Sequence, residues 1–266
     1  FVLLFIFFVP LFIFLDKLGT EGLMAKEEKD NIVLYYRKYD FNEIDNLKEN
    51  EMVVLNYLLF IFKTQNEIHE LPLKIIKEDV GINQTGYRYI KDLITTMVDK
   101  VNEYWEKEYN GQFFHEFNIK DNALTISITN TGNRIFEGIF DEVSKNRAKT
   151  MFYIEDFISV KGKYAKKLFL ELVKNQGYNR VRLSDEQMCK LMDFTNDTPS
   201  NKKTQKINLC IDKVRGIFPN INCKKTLSRE NKYYYDFKWD KSSKVISLDE
   251  ERAKRKQDEN IQVQTR

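Results

Sequence analysis

From Glu49 onward the apolar positions switch between helical and alternating spacing, and the switches mark out a series of elements. "ENEMVVLNYLLFIFKTQ" is apolar enough for a helix buried on most sides. "HELPL" (residues 69–73) follows as a short extended piece and "KIIKEDV" as a small helix. After the turn "GINQTG", the stretch "YRYIKDLITTMVDKVNEYW" sets Ile90, Leu93, Ile94, Met97 and Val101 at three-and-four spacing, which predicts a long helix. "QFFHEFNI" and "ALTISITN", separated by the polar "KDN", predict a hairpin.

The same order returns from Lys161. "KGKYAKKLFLELVKNQG" predicts a helix with Tyr164, Ala165, Leu168, Phe169 and Leu172 on its core side and Gly177 as its C-cap. "RVRL" is a short strand. Ser184 and Gln187 have capping-box spacing, so a helix carrying Met188, Leu191 and Met192 opens there. Past the turn "TNDTPS", Pro199 suits the first turn of a further helix, with Ile207, Cys210, Ile211 and Val214 as a narrow apolar stripe. "INCKKTL" and "KYYYDFKW" predict a second hairpin across "SREN", with Tyr234 and Phe237 in the core. A helix at "NRIFEGIFDEVSK" leads into the linker "KNRAKTMFYIEDFISV" between the two copies.

Helix, strand, helix, turn, helix, hairpin is the order of a winged helix-turn-helix unit, and its recurrence makes a chance match improbable. The expected fold class is α+β, mostly helical, with two tandem winged helix-turn-helix domains. The first covers residues 24–143 and the second 144–243, with an apolar segment at 1–23 and a charged tail at 244–266. In such a unit the third helix enters the DNA major groove and the hairpin, or wing, lies along the backbone.

On the third helix of the second copy, Gln205 sits opposite the apolar stripe, and Lys206 and Asn208 occupy its edges. Lys202 faces outward, and Lys203 turns toward the core side. Ser200, Asn201, Lys202, Lys203, Gln205 and Lys206 are therefore the expected DNA-reading set, amides for base edges and lysines for phosphate or guanine. Lys224, Lys225, Arg229 and Lys232 on the wing, with Lys163, Lys166 and Lys167 on the first helix, would add backbone contacts. The competing reading of these lysines is a solvated face.

Charge sharpens the contrast between the copies. Residues 1–143 carry 15 Lys/Arg against 24 Asp/Glu, a net of −9, whereas residues 144–243 carry 22 against 11, a net of +11. A polarised chain points to a polyanionic partner for its second half. In the first copy Tyr87, Arg88 and Lys91 open the long helix, but Asp92, Asp99, Glu103 and Glu106 follow. Acidic groups facing a duplex are repelled, so an auxiliary contact from Tyr87, Arg88 and Lys91, or a protein–protein surface, is expected there.

Enzyme chemistry finds few footholds. The two histidines, His69 and His115, stand alone near predicted strands and suit structural roles; no HxH metal motif or GxxxxGK[ST] loop occurs. Cys189, Cys210 and Cys223 form no CxxC pair, and the first two fall on apolar stripes, as expected in a reducing cytoplasm. Neither a cofactor nor a small-molecule substrate is expected. The opening "FVLLFIFFVPLFIFL" lacks a basic leader and is short for a membrane span. The codons of Glu21-Gly22 can spell a ribosome-binding site, so the natural protein is expected to start at Met24; a membrane anchor is the alternative.

"FISVKGKYAKKLFLELVKNQGYNRVRLSDEQMCKLMDF" resembles plasmid replication initiators of the iteron-binding type, most specifically in "KGKYAKKLFLEL". Lys167 and Phe169 stand where that pattern often has Arg and Tyr. "NIVLYYRKYDFNEIDNLKENEMVVLNYLLF" is similar to the family's opening, and the resemblance runs from about residue 31 to 240. It implies two winged-helix domains and a double-stranded origin bearing repeated sites. Monomers would bind the repeats, and dimers joined through the first domain would repress the initiator's own promoter. It also implies recruitment of host replication proteins in the bacterial cytoplasm, a DNA-reading role for Lys202, Lys203, Gln205 and Lys206, and a wing role for Lys224 and Lys225. A winged-helix transcriptional regulator without a replication role and a membrane-tethered interaction protein remain as alternatives.

Overall fold

The computed structural model describes residues 32–39, 41–44, 46–63, 67–137, 149–195, 197–228 and 230–240. The apolar opening, Met24, Arg229, most of the expected helix at "NRIFEGIFDEVSK" and the tail lie outside them. From Val33 onward the described residues form one compact unit.

Strand β1 (Ile32–Tyr36) is followed by helix α1 (Glu49–Phe62), β2 (Glu67–Pro72), α2 (Leu73–Asp79) and α3 (Tyr87–Tyr109). The hairpin β3 (Phe114–Lys120) and β4 (Ala123–Ile128) comes next, then the short α4 (Asn130–Asn133). β5 (Lys149–Tyr153) and α5 (Ile154–Ser159) precede α6 (Lys163–Lys174), β6 (Arg180–Ser184), α7 (Asp185–Met192) and α8 (Ser200–Val214). The hairpin β7 (Asn222–Leu227) and β8 (Tyr233–Lys238) closes the described chain.

Two three-stranded sheets have the same topology. In each, the short strand pairs with the second hairpin strand, giving the antiparallel orders β2-β4-β3 and β6-β8-β7. Each sheet follows or encloses three helices in the order expected from the periodicity. Capping explains where several of them start. The Lys48 backbone N–H donates to Glu51 Oε2 at 2.8 Å at the head of α1. Ser184 and Gln187 exchange backbone-to-side-chain hydrogen bonds of 2.8 and 3.1 Å at the head of α7.

The helical stripes are core. Ile90, Leu93, Ile94, Met97 and Val101 of α3 are all buried, as are Ile207, Cys210, Ile211 and Val214 of α8. Asn102 Oδ1 accepts from the backbone N–H groups of Phe113 and Phe114 at 3.0 and 2.7 Å, tying α3 to its hairpin. In the second sheet Leu183 stands opposite Tyr235 and Val181 opposite Phe237. Here the strand departs from expectation. Tyr235, not Tyr234, is buried with Phe237, because residues two apart share a face of a strand and residues three apart cannot. Tyr234 lies on the other face with the Arg182 guanidinium 4.9 Å above its ring. Nor is Gly177 the C-cap of α6. Asn175 takes that place, and Gly177 sits in a single 3₁₀ turn after it.

The described part of the segment between the halves, residues 149–162, is structure rather than a loose tether. β5 pairs with β1, and α5 and α6 both pack on α1. Buried Asn42 donates to the Lys167 carbonyl at 3.2 Å and to Glu171 Oε1 at 3.1 Å. Gly162 heads α6 at φ +100, a conformation open to glycine alone without strain, and its N–H donates to Glu49 Oε1 at 2.7 Å. Among the described residues no helix is long and apolar enough to cross a membrane.

Candidate nucleic-acid interface

α8 is pinned by its apolar stripe and by the turn that precedes it. Asp193 ends α7 in the left-handed conformation, at φ 51. Its Oδ2 accepts from Tyr164 Oη at 3.0 Å and faces Lys163 Nζ at 3.2 Å, so α6 holds the turn from below. Burial acts to raise the Asp193 carboxyl, but the hydrogen bonds from Tyr164 and Lys163 outweigh it and hold it below the usual carboxylate range. Thr198 Oγ1 accepts from the Thr195 N–H at 3.0 Å and completes the turn.

Two of the three lysines at the head of α8 are drawn into this turn. Lys206 Nζ donates to the Met192 carbonyl at the C-terminus of α7. It also lies over the rings of Tyr164 and Phe194, at 3.3 and 5.3 Å from their centroids. Burial lowers its pKa from the ordinary lysine value. Lys203 Nζ reaches Cys189 Sγ at 3.6 Å and the Phe194 ring at 5.7 Å. A cation at the carbonyl end of a helix meets the negative end of its dipole, so these lysines fasten α7 to α8. Lys206, expected at the rim, is thereby corrected to a bracing position.

The outward face of α8 carries Lys202, Gln205, Asn208, Leu209 and Asp212, all exposed. Ser200, Asn201 and Thr204 share a shallow open depression with Gln205, Asn208, Leu209 and Asp212. Thr204 Oγ1 donates to the Ser200 carbonyl at 3.0 Å, and Asn201 Oδ1 accepts from the Lys202 N–H at 2.8 Å. Leu209, 55% exposed, was not anticipated. Its signal was available in the sequence, because it lies one turn beyond Gln205 on the side opposite the core stripe.

The first-helix lysines depart most from expectation. Lys166 is 1% exposed: its Nζ donates to the Phe157 carbonyl at 2.6 Å and lies 4.6 Å from that ring's centroid. Burial pulls its pKa down to about 8, against the opposing pull of Glu49. Lys167 is buried as well, and Lys163 is paired with Asp193. None of the three presents a free cation on the surface, because α6 is packed on by α1, α7, α8 and β5.

The wing keeps its cations outside. Lys224 and Lys225 are exposed on β7, and Lys232 lies just before β8. Lys225 Nζ lies 4.4 Å from the Tyr233 centroid and 3.9 Å from Asp185 Oδ1, and Lys232 Nζ is 3.3 Å from Glu230. Arg229 lies outside the described residues. Leu227 and Tyr233 stand opposite one another at the wing tip, and both are exposed.

In the first half, Tyr87 and Arg88 are exposed and Lys91 is half-buried. Lys77 Nζ lies 4.9 Å from the Tyr87 centroid and donates to the Thr85 carbonyl, bracing the turn before α3. Asp92, Asp99, Glu103 and Glu106 are all exposed. Tyr87, Arg88 and Lys91 lie on α3, in the first copy of the element order, and the α8 set in the second.

Other chemistry is sparse. His69 and His115 are exposed on strands beside Glu67 and Glu116, at 2.9 and 3.7 Å. Burial pushes the Cys210 thiol up and the Cys223 thiol up to about 12, which leaves them poor nucleophiles. Among the described residues no group of three or more His, Cys, Asp or Glu side chains is placed to hold a metal ion.

A family model described as Initiator Replication protein, WH1, matches residues 34–174, just over half of the chain. The chain belongs to the initiator replication protein family. The match begins in β1, covers the whole first copy of the repeated order, and ends with α6. It bears out the family resemblance read from "NIVLYYRKYDFNEIDNLKENEMVVLNYLLF" and "KGKYAKKLFLEL" and makes the first copy a winged-helix domain. In this initiator α8 and the wing lie beyond the matched residues, so their role rests on geometry. No curated protein and no solved structure matches the chain.

Proposed function

We propose that this initiator binds double-stranded DNA sequence-specifically at repeated sites in a plasmid origin and so starts replication. The chain comprises two tandem winged-helix domains, 24–143 and 144–243, of which the second reads DNA. α8 enters the major groove, and Lys224, Lys225 and Lys232 of the wing meet the flanking phosphates. The observation that carries this reading is the division of α8 into a buried apolar stripe and an outward face of Lys202, Gln205 and Asn208. That is the arrangement a recognition helix needs. The acidic first domain serves dimerisation and regulation, with auxiliary DNA contact limited to Tyr87, Arg88 and Lys91. Monomers bind the origin repeats, and a dimer in equilibrium with them represses the initiator's own promoter. Host replication proteins are recruited in the bacterial cytoplasm. The chain works without catalysis, cofactor or small-molecule substrate of its own.

The test supplies the full chain in trans to a plasmid that carries only the repeat array neighbouring the gene. Replication of that plasmid is expected. Binding to the array without replication would make the protein a transcriptional regulator instead. In the same DNA, Lys202→Ala is expected to lower the slope of log K against log salt by about 0.9, the value of one lost phosphate contact.

A further inference from the structure

The outward face of α8 has a definite chemical character that the lysines had obscured. Gln205 and Asn208 are exposed carboxamides with no hydrogen-bond partner among the described residues. Leu209 stands beside them, one turn on from Gln205 and 55% exposed. A carboxamide presents one donor and one acceptor side by side, the complement of adenine N6 and N7 in the major groove. An aliphatic side chain has its natural partner in the thymine methyl. Guanine is read mainly by arginine or lysine, and on α8 most of those side chains are turned away from Gln205 and Asn208, Lys213 among them, whose Nζ lies against Gly162. Lys203 and Lys206 are held in the turn, and Arg215, at the far end of the helix, is paired with Asp212 at 3.0 Å. Lys202 is free but stands at the helix start, where a long flexible cation suits phosphate.

Resting on the DNA-binding reading above, we propose that Gln205, Asn208 and Leu209 read a short run of A·T pairs. The two amides each take an adenine, and Leu209 covers a thymine 5-methyl group. From residue 205 to 209 a helix rises about 6 Å, and base pairs stack at about 3.4 Å. The patch therefore meets two or three adjacent pairs. Leu209 also gains what it lacks in the free protein, an apolar surface to cover it. The three residues make one specificity element, distinct from the lysines that supply non-specific attraction.

Sites are selected from a random duplex library with the full chain, and the winning duplex is then altered one atom group at a time. The selected site is expected to contain the A·T run. Within it, replacing one thymine by uracil removes only a methyl group and is expected to weaken binding about fourfold. Leu209→Ala, a change at an exposed position, is expected to be indifferent to that replacement. Likewise 7-deazaadenine at one position is expected to weaken the unaltered chain on the order of tenfold, and to leave Gln205→Ala or Asn208→Ala unmoved. A specific site in which the α8 footprint is G·C, or uracil effects that are equal with and without Leu209, would overturn this inference and leave DNA recognition standing. Failure to select any sequence would overturn both.

Discussion

α3 and α8 occupy the same place in the two copies of one element order, and both bury an apolar stripe, α3 chiefly against α1 and β3 and α8 chiefly against α6. Their outward faces differ in charge. Beyond its first turn α3 presents Asp92, Asp99, Glu103 and Glu106, whereas α8 presents Lys202, Gln205, Asn208 and Leu209 with a single acid, Asp212. Even the lysines that point inward behave alike. Lys100 of α3 reaches Glu51 of α1 at 2.7 Å and the Asn46 carbonyl at 2.8 Å, as Lys206 of α8 reaches the Met192 carbonyl. The buried stripe therefore decides where such a helix lies, and the handful of outward side chains decides what it can meet. Counting lysines along the helix misjudges this, because a long side chain on the core edge bends to whatever carbonyl or ring is nearest.

The contrast breaks most visibly if acid is moved from one helix to the other. Lys202→Glu with Gln205→Glu gives α8 the character of α3, and binding to the specific site is expected to fall on the order of 100-fold or more. Gel-shift titration reads the change. Equal loss from Asp99→Ala with Glu103→Ala would mean the two faces have been assigned the wrong way round.

A second comparison separates the bracing lysines from the outward one. Lys206→Ala uncovers the Met192 carbonyl and the Tyr164 ring, and is expected to lower unfolding free energy in urea by about 1–2 kcal/mol. Lys202→Ala is expected to change stability by less than about 0.5 kcal/mol.

Buried Lys166 supplies a pH-dependent version. Its folded pKa of about 8 lies below the ordinary 10.5, so between those values the unfolded chain holds a proton that the folded chain has lost. Stability therefore rises with pH across that window, by about 3 kcal/mol for a shift of this size. Thermal or urea unfolding from pH 8 to 10.5 should show the rise in the unaltered chain and a flatter curve for Lys166→Met. A fall in stability specific to Lys166 would mean that the site favours the cation. The smallest expected effect is that of Arg88→Ala, on α3, at less than threefold in affinity, near the value of a single exposed charge.

Much of the scaffold was legible because it is periodic. The stripes of α3 and α8, the capping box at Ser184 and both hairpins follow from spacing alone. β1 was not legible as a strand, because its five residues are explained only by pairing with β5 far along the chain. The buried face of β8 differs by one residue from the expectation at Tyr234, because two-residue alternation from Phe237 leads to Tyr235. On α8 the outward direction of Gln205 and Lys202 is legible because the helix itself sets it. The inward turn of Lys203 and Lys206 depends on Tyr164 and Phe194, whose rings arrive from another helix and from the turn. The burial of Lys166 likewise depends on α5, which brings the Phe157 carbonyl over it.

The most direct test places a photocrosslinking side chain at position 205 in one protein and at position 103 in another, each bound to duplex DNA carrying the selected site. Crosslinks to bases from position 205 and none from position 103 are the result expected if α8 alone enters the groove. Crosslinks from position 103, with none from position 205, would contradict it.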